Sequence, residues 1–116
     1  MDYIENDPLI IANKSFSSRL MLGTGKYKNF QEAKDAILAS GCEILTVAVR
    51  RAQNTNVESL DKLLANLDWT KIWLMPNTAG CQTSEQAIRL SFLGREILKN
   101  LNYSDNNFIK LEIITD

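Results

Sequence analysis

The sequence predicts an α/β fold, four parallel βα units making half of a (β/α)8 TIM barrel, and three observations support it. Short apolar segments alternate with amphipathic helical ones, the order that produces parallel pairing through crossover helices. Residues 43–49 (EILTVAV) are nearly continuous in apolar and β-branched side chains, as in a strand buried on both faces. Strand centres recur at intervals of roughly 25 to 40 residues, and eight such units fill the about 250 residues of a closed barrel. Four units make half of one.

A polar N-terminal arm leads to residues 18–22 (SRLML), a short strand running into a sharp turn at Gly23, Thr24 and Gly25. Asn29 then offers a helix N-cap with Glu32 three residues on, the capping-box spacing. Ala33, Ile37 and Leu38 supply the apolar stripe, and Gly41 stands where a helix ends in a left-handed residue. The strand at 43–49 stops at Arg50 and Arg51. A helix follows from about Val57, capped by Asn56, with Leu60, Leu63, Leu64 and Leu67 on one face.

Residues 71–75 (KIWLM) form the third strand, closed by Pro76 and followed by the loop 77–81 (NTAGC). Thr83 and Gln86 repeat the capping-box spacing. In the helix after them Ala87, Leu90, Leu93, Ile97 and Leu98 fall toward one side. Gly94 inside that helix costs about 1 kcal/mol relative to Ala unless close packing compensates. After a polar turn at 102–107, residues 108–114 (FIKLEII) form the fourth strand. No repeat, low-complexity tract or linker interrupts the series, so residues 1–116 read as a single domain.

With 45% hydrophobic residues the chain has the apolar content of a globular protein. A formal net charge of -1 creates no field favouring nucleic acid or an anionic membrane, and neither partner is expected. No apolar run approaches the roughly 20 residues of a bilayer span. The start, MDYIENDPLIIANKSF, is too acidic for a transit peptide and lacks the apolar core of a signal peptide. A soluble protein is expected, in the plastid stroma if organelle-encoded and in a bacterial cytoplasm otherwise; the abundance of Asn, Lys and Ile is a compositional hint toward the first. Cys42 and Cys81 belong to no CxxC pair, which favours buried thiols over a disulfide or zinc site. The absence of His removes imidazole metal sites and Ser/His or Cys/His nucleophile pairs. No metal or cofactor is expected.

Alternation along 108–114 sends Ile109, Leu111 and Ile113 to one face and Lys110, Glu112 and Ile114 to the other. In a barrel the apolar set packs on the helices, and the Lys110 amine and Glu112 carboxylate face the lumen near the catalytic C-terminal rim. A lysine desolvated there can attack a carbonyl and form an imine while a neighbouring carboxylate shuttles protons. The competing reading is an edge strand whose inward charge blocks edge-to-edge association. Pattern alone does not choose between them.

Gly23, Thr24 and Gly25 allow either close approach of substrate or a tight turn that needs glycine's backbone angles. Their spacing matches no phosphate-binding motif, which favours the turn. Arg50 and Arg51 point in opposite directions. One is expected to hold an anionic substrate group or an acidic partner, the other to be solvated. Cys81 lies at the same rim without an imidazole to activate it and reads as a structural thiol.

Taken together, FSSRLMLGTGKY (16–27), ILTVAVRR (44–51), LMPNTAGC (74–81) and IKLEII (109–114), in this order and spacing, resemble the thiazole synthases of bacteria and plastids. The resemblance implies a (β/α)8 barrel that condenses 1-deoxy-D-xylulose 5-phosphate, dehydroglycine and sulfur into thiazole phosphate for thiamin. The sulfur arrives as the thiocarboxylate of a small sulfur-carrier protein. Lys110 matches the family lysine that forms the imine with the sugar ketone, and Glu112 matches its acid/base carboxylate. The resemblance also implies association of the barrel with itself and with the sulfur carrier.

These blocks correspond to the first half of the family's length. The resemblance places the phosphate-binding loops and a second acidic catalytic residue in the other half, so substrate-binding residues stay unassigned and catalysis by these 116 residues alone is in question. Two alternatives stand beside it: an aldolase-type Schiff-base barrel using the same lysine, and an inactive truncated fragment or half-barrel assembly partner.

Overall fold

In the computed structural model, which describes residues 7–25, 27–50, 65–100 and 107–114, an antiparallel hairpin precedes a three-stranded parallel sheet. The hairpin strands are β1 (Leu9–Ile11) and β2 (Lys14–Phe16). The parallel strands β3 (Met21–Gly23), β4 (Ile44–Ala48) and β5 (Trp73–Asn77) lie side by side in chain order. Helix α1 (Phe30–Ser40) joins β3 to β4, and α2 (Ser84–Asn100) follows β5. A mixed α/β fold with sequentially ordered parallel strands is what the alternating pattern predicts.

Strand alternation gives the sheet two buried faces. Leu45, Val47 and Leu74 pack with Ala33 and Ile37 of α1 and Leu98 of α2. Ile44 and Met75 face the opposite way, onto Phe16 of the hairpin. Two cross-strand rows, Met21–Ile44–Trp73 and Gly23–Thr46–Met75, set the register. Burial on both sides is the physical reason β4 has no polar alternation.

The hairpin differs from the expected polar arm. Its two-residue turn lacks the Asn-Gly or Asp-Gly signal that marks such turns in sequence. Ala12 and Asn13 make it instead, at φ 47° and 70°. Asn takes left-handed angles readily, whereas Ala12 does so against its own Cβ. So short a hairpin is marginal by itself, and it is held by the burial of Phe16 against Ile44 and Met75.

Strand boundaries also move. The strand expected at 18–22 forms at Met21–Gly23, because the Glu43 carboxylate takes the amides of Ser17 (2.9 Å) and Ser18 (3.2 Å). The strand expected at 71–75 forms two residues later, because the amides of Lys71 and Ile72 donate to the Asp68 carbonyl. Pro76 consequently lies inside β5, opposite Val47, rather than closing it. Most of the helix expected from Val57 and of the turn at 102–107 lies outside the described residues; Leu67 is buried in the main core.

Two of the three predicted N-caps form, and the third, Asn56, lies outside the described residues. Asn29 Oδ1 accepts from the Glu32 amide at 2.8 Å, and the Thr83 hydroxyl accepts from the Gln86 amide at 3.2 Å. The return bonds reach one residue further back than the usual box. Glu32 Oε1 accepts from Lys28 N (3.3 Å), and Gln86 Oε1 from Gln82 N (2.8 Å). Gly41 ends α1 at φ 68°. A Cβ on Gly94 would lie 3.0 Å from Pro76 Cβ and 3.2 Å from Ile109 Cδ1 and Val49 Cγ2. The helix therefore rests on the sheet through its glycine, and close packing offsets the propensity cost.

Candidate active site

Parallel α/β sheets gather their chemistry at the C-terminal ends of the strands. There Ala48 pairs with Asn77, and Asn77 pairs with Lys110 in a parallel bridge. The Lys110 amide donates to Pro76 O at 2.9 Å, and the Thr78 amide donates to Lys110 O at 3.2 Å. The strand expected at 108–114 is thus reduced to an extended segment with one bridge.

The backbone explains the reduction. Trp73 N donates toward β4, to Glu43 O at 2.7 Å, so odd-numbered residues of β5 face β4 and even-numbered ones face residues 108–112. Pro76 has no N–H to give in that direction. Thr78 O is taken by the Cys81 amide at 3.2 Å. The ladder is interrupted on both sides of Lys110.

Lys110 Nζ and Glu112 Oε1 are 3.3 Å apart, so the two groups share a side as alternation requires. Their side chains are 44% and 32% exposed. The pair is open to water. Ile109 packs against α2 at Gly94, whereas Leu111 is 65% and Ile113 39% exposed.

Thr78 carries no role in the sequence reading, yet it is fully buried beside the pair. Its hydroxyl accepts from Glu112 N at 2.8 Å and donates to Glu112 O at 2.8 Å. Buried Asn77 accepts at Oδ1 from Ala79 N (3.0 Å), which shapes the turn after β5. The available signal was two polar residues placed directly at the end of an apolar strand.

Arg50 is exposed, and its Nη1 donates to Gly80 O at 3.0 Å, so it braces the loop after β5. Gly80 has φ 91°, and a Cβ there would come within 2.8 Å of Arg50 Nη1. Arg51 lies outside the described residues. Gly23 takes no left-handed angle, and among the described residues a Cβ on it would meet only Thr46 Oγ1, at an ordinary 3.7 Å. At Gly23, then, the backbone-angle reason for glycine fails. Cys42 and Cys81 are free and buried. A cavity of about 700 Å³ lined by Lys14, Glu43, Trp69 and Lys71 opens at the N-terminal ends of β4 and β5, away from Lys110.

A family model described as Thiazole biosynthesis protein ThiG matches residues 10–116, which takes in the lysine and carboxylate with the strands beside them. The chain belongs to the ThiG family. Among ThiG relatives, the thiazole synthase of Emiliania huxleyi is 66% identical over 110 residues, covering 95% of this chain and 40% of the relative. That of Porphyra purpurea is 58% identical over 110 residues, with the same two coverages. The bifunctional protein ThiO/ThiG of Nostoc sp. is 60% identical over 111 residues, covering 96% of this chain and 17% of the relative. The chain thus spans about 40% of the length of the thiazole synthases it matches. Relatives of this ThiG chain come from algae and cyanobacteria.

Proposed function

We propose that this chain is the lysine-bearing part of a (β/α)8 thiazole synthase, in which Lys110 forms an imine with the ketone of 1-deoxy-D-xylulose 5-phosphate. The observation that carries the reading is the 3.3 Å contact of Lys110 with Glu112 at the C-terminal end of a parallel sheet, in a ThiG chain. Lys110 reacts through its amine nitrogen. Its Nζ adds to the carbonyl carbon, and loss of the resulting hydroxyl as water leaves the imine. Glu112, at contact distance from that nitrogen, then withdraws a proton from the adjoining sugar carbon. The imine becomes an enaminol, and transfer of its hydroxyl proton to the former imine carbon leaves an amine beside a new ketone, the carbonyl that sulfur attacks.

Dehydroglycine and the thiocarboxylate of a small sulfur-carrier protein supply the remaining atoms of the thiazole. The fused Nostoc relative supports a ThiO partner working beside this chemistry. The algal and cyanobacterial relatives support a plastid stroma or a bacterial cytoplasm as its place.

Borohydride trapping with 1-deoxy-D-xylulose 5-phosphate, followed by peptide mass mapping, is expected to place the adduct on Lys110. Adduct on any lysine other than Lys110 overturns the assignment. Glu112→Gln is expected to keep trapping within about threefold while slowing solvent-deuterium incorporation into the sugar by about a hundredfold or more, the scale of a lost general acid/base. Loss of trapping in that variant assigns Glu112 a structural role instead.

A further inference from the structure

We propose that Thr78 is the positioning residue of the lysine and carboxylate pair: its hydroxyl clamps the Glu112 backbone and thereby sets the carboxylate's reach to Lys110. The inference rests on the imine reading only for its catalytic consequence.

A regular parallel ladder would continue past Lys110 through backbone bonds alone. Lys110 N donates to Pro76 O, and Thr78 N donates to Lys110 O. Two residues on, the same pattern would pair Glu112 N with Thr78 O, and Gly80 N with Glu112 O. Neither backbone bond is available. The chain turns after β5, Thr78 O is occupied by Cys81 N at 3.2 Å, and Gly80 has swung to φ 91°.

The Thr78 hydroxyl replaces both missing bonds. One oxygen accepts from Glu112 N and donates to Glu112 O, each at 2.8 Å, which a hydroxyl alone among small side chains can do. Thr78 therefore holds the backbone of Lys110 through its amide and that of Glu112 through its side chain. Beyond Glu112 the next tie is Ile114 N to Cys81 O at 2.7 Å. Glu112 is fixed on both of its polar backbone groups by a residue with no solvent exposure, a geometry that makes the carboxylate's origin rigid although its end is open to water.

The test compares Thr78→Val with Thr78→Ser in the full chain. Hydrogen exchange at the Glu112 amide is expected to quicken by about tenfold or more in the Val variant, the scale of losing these hydrogen bonds, and to stay within about threefold in the Ser variant. With the sugar phosphate present, Thr78→Val is expected to keep borohydride adduct on Lys110 but to lose about tenfold or more in solvent-deuterium incorporation, and Thr78→Ser to restore it.

Unchanged Glu112 exchange in Thr78→Val overturns the clamp. Faster exchange with undiminished deuterium incorporation overturns the positioning role. Should Thr78→Val not fold, the Thr78 hydroxyl proton of the native chain decides: slow exchange supports the clamp, and rapid exchange overturns it. Adduct on a lysine other than Lys110 in the native chain sinks the imine reading separately, while the exchange results still judge the clamp.

Discussion

Lys110 and Glu112 stand two residues apart on an extended segment, so strand alternation alone brings amine and carboxylate to one side, and their contact is a local consequence of sequence. Thr78 reaches Glu112 across 34 residues. No local period connects them, and the hydroxyl matters only because the Thr78 carbonyl is spent on Cys81. Asp68 shows a local device of another kind. Its carboxylate accepts from the Thr70 hydroxyl at 2.5 Å and the Thr70 amide at 3.0 Å. The hydroxyl bond first, the amide bond next, and the charge of Lys71 hold its pKa below the usual carboxylate value. With the folded pKa lowered, its contribution is complete above the unfolded pKa and is lost as pH falls through the folded one. An NMR titration should give a midpoint below that of an unstructured peptide, and Thr70→Ala should move it upward. A midpoint indifferent to Thr70→Ala would contradict this account.

At the scale of elements, helix ends were legible and strand ends were not. Caps are written in neighbouring residues, as Asn29 with Glu32 and Thr83 with Gln86 demonstrate. A strand ends where its amides find other partners, and Glu43 and Asp68 supply those partners from places no strand pattern marks. Threonine hydroxyls take over where the sheet's backbone bonds stop: Thr24 Oγ1 donates to Thr46 O at 3.0 Å, as Thr78 does at the other edge.

Gly94 joins helix to sheet, and two magnitudes compete there. Gly94→Ala gains about 1 kcal/mol of helix propensity, but the added methyl meets three neighbours at 3.0 to 3.2 Å, and overpacking costs about 1 to 3 kcal/mol. The expected result is a lower Tm, by a few degrees, in thermal unfolding followed by circular dichroism. An equal or higher Tm would show that α2 can lift off Pro76.

At the scale of the whole molecule, apolar side chains are exposed at both sides of the sheet. Leu20 and Met21 lie at β3, and Leu111, Ile113 and Ile114 at the segment beyond β5. Exposed apolar edges favour association. Light scattering across protein concentration should therefore show a rising apparent mass, reduced when Leu111→Lys and Ile113→Lys are combined. A monodisperse monomer at every concentration would contradict this.

The sequence by itself determined the α/β class, the helix caps, the buried central strand and the shared side of Lys110 and Glu112, because each depends on residues within a few positions of one another. Tertiary structure alone decided the hairpin that buries Phe16, the shift of β5 that puts Pro76 inside it, and the hold of Thr78 on Glu112. Each of these depends on which backbone donors and acceptors remain unpaired once distant segments meet, and that balance is a property of the assembled sheet.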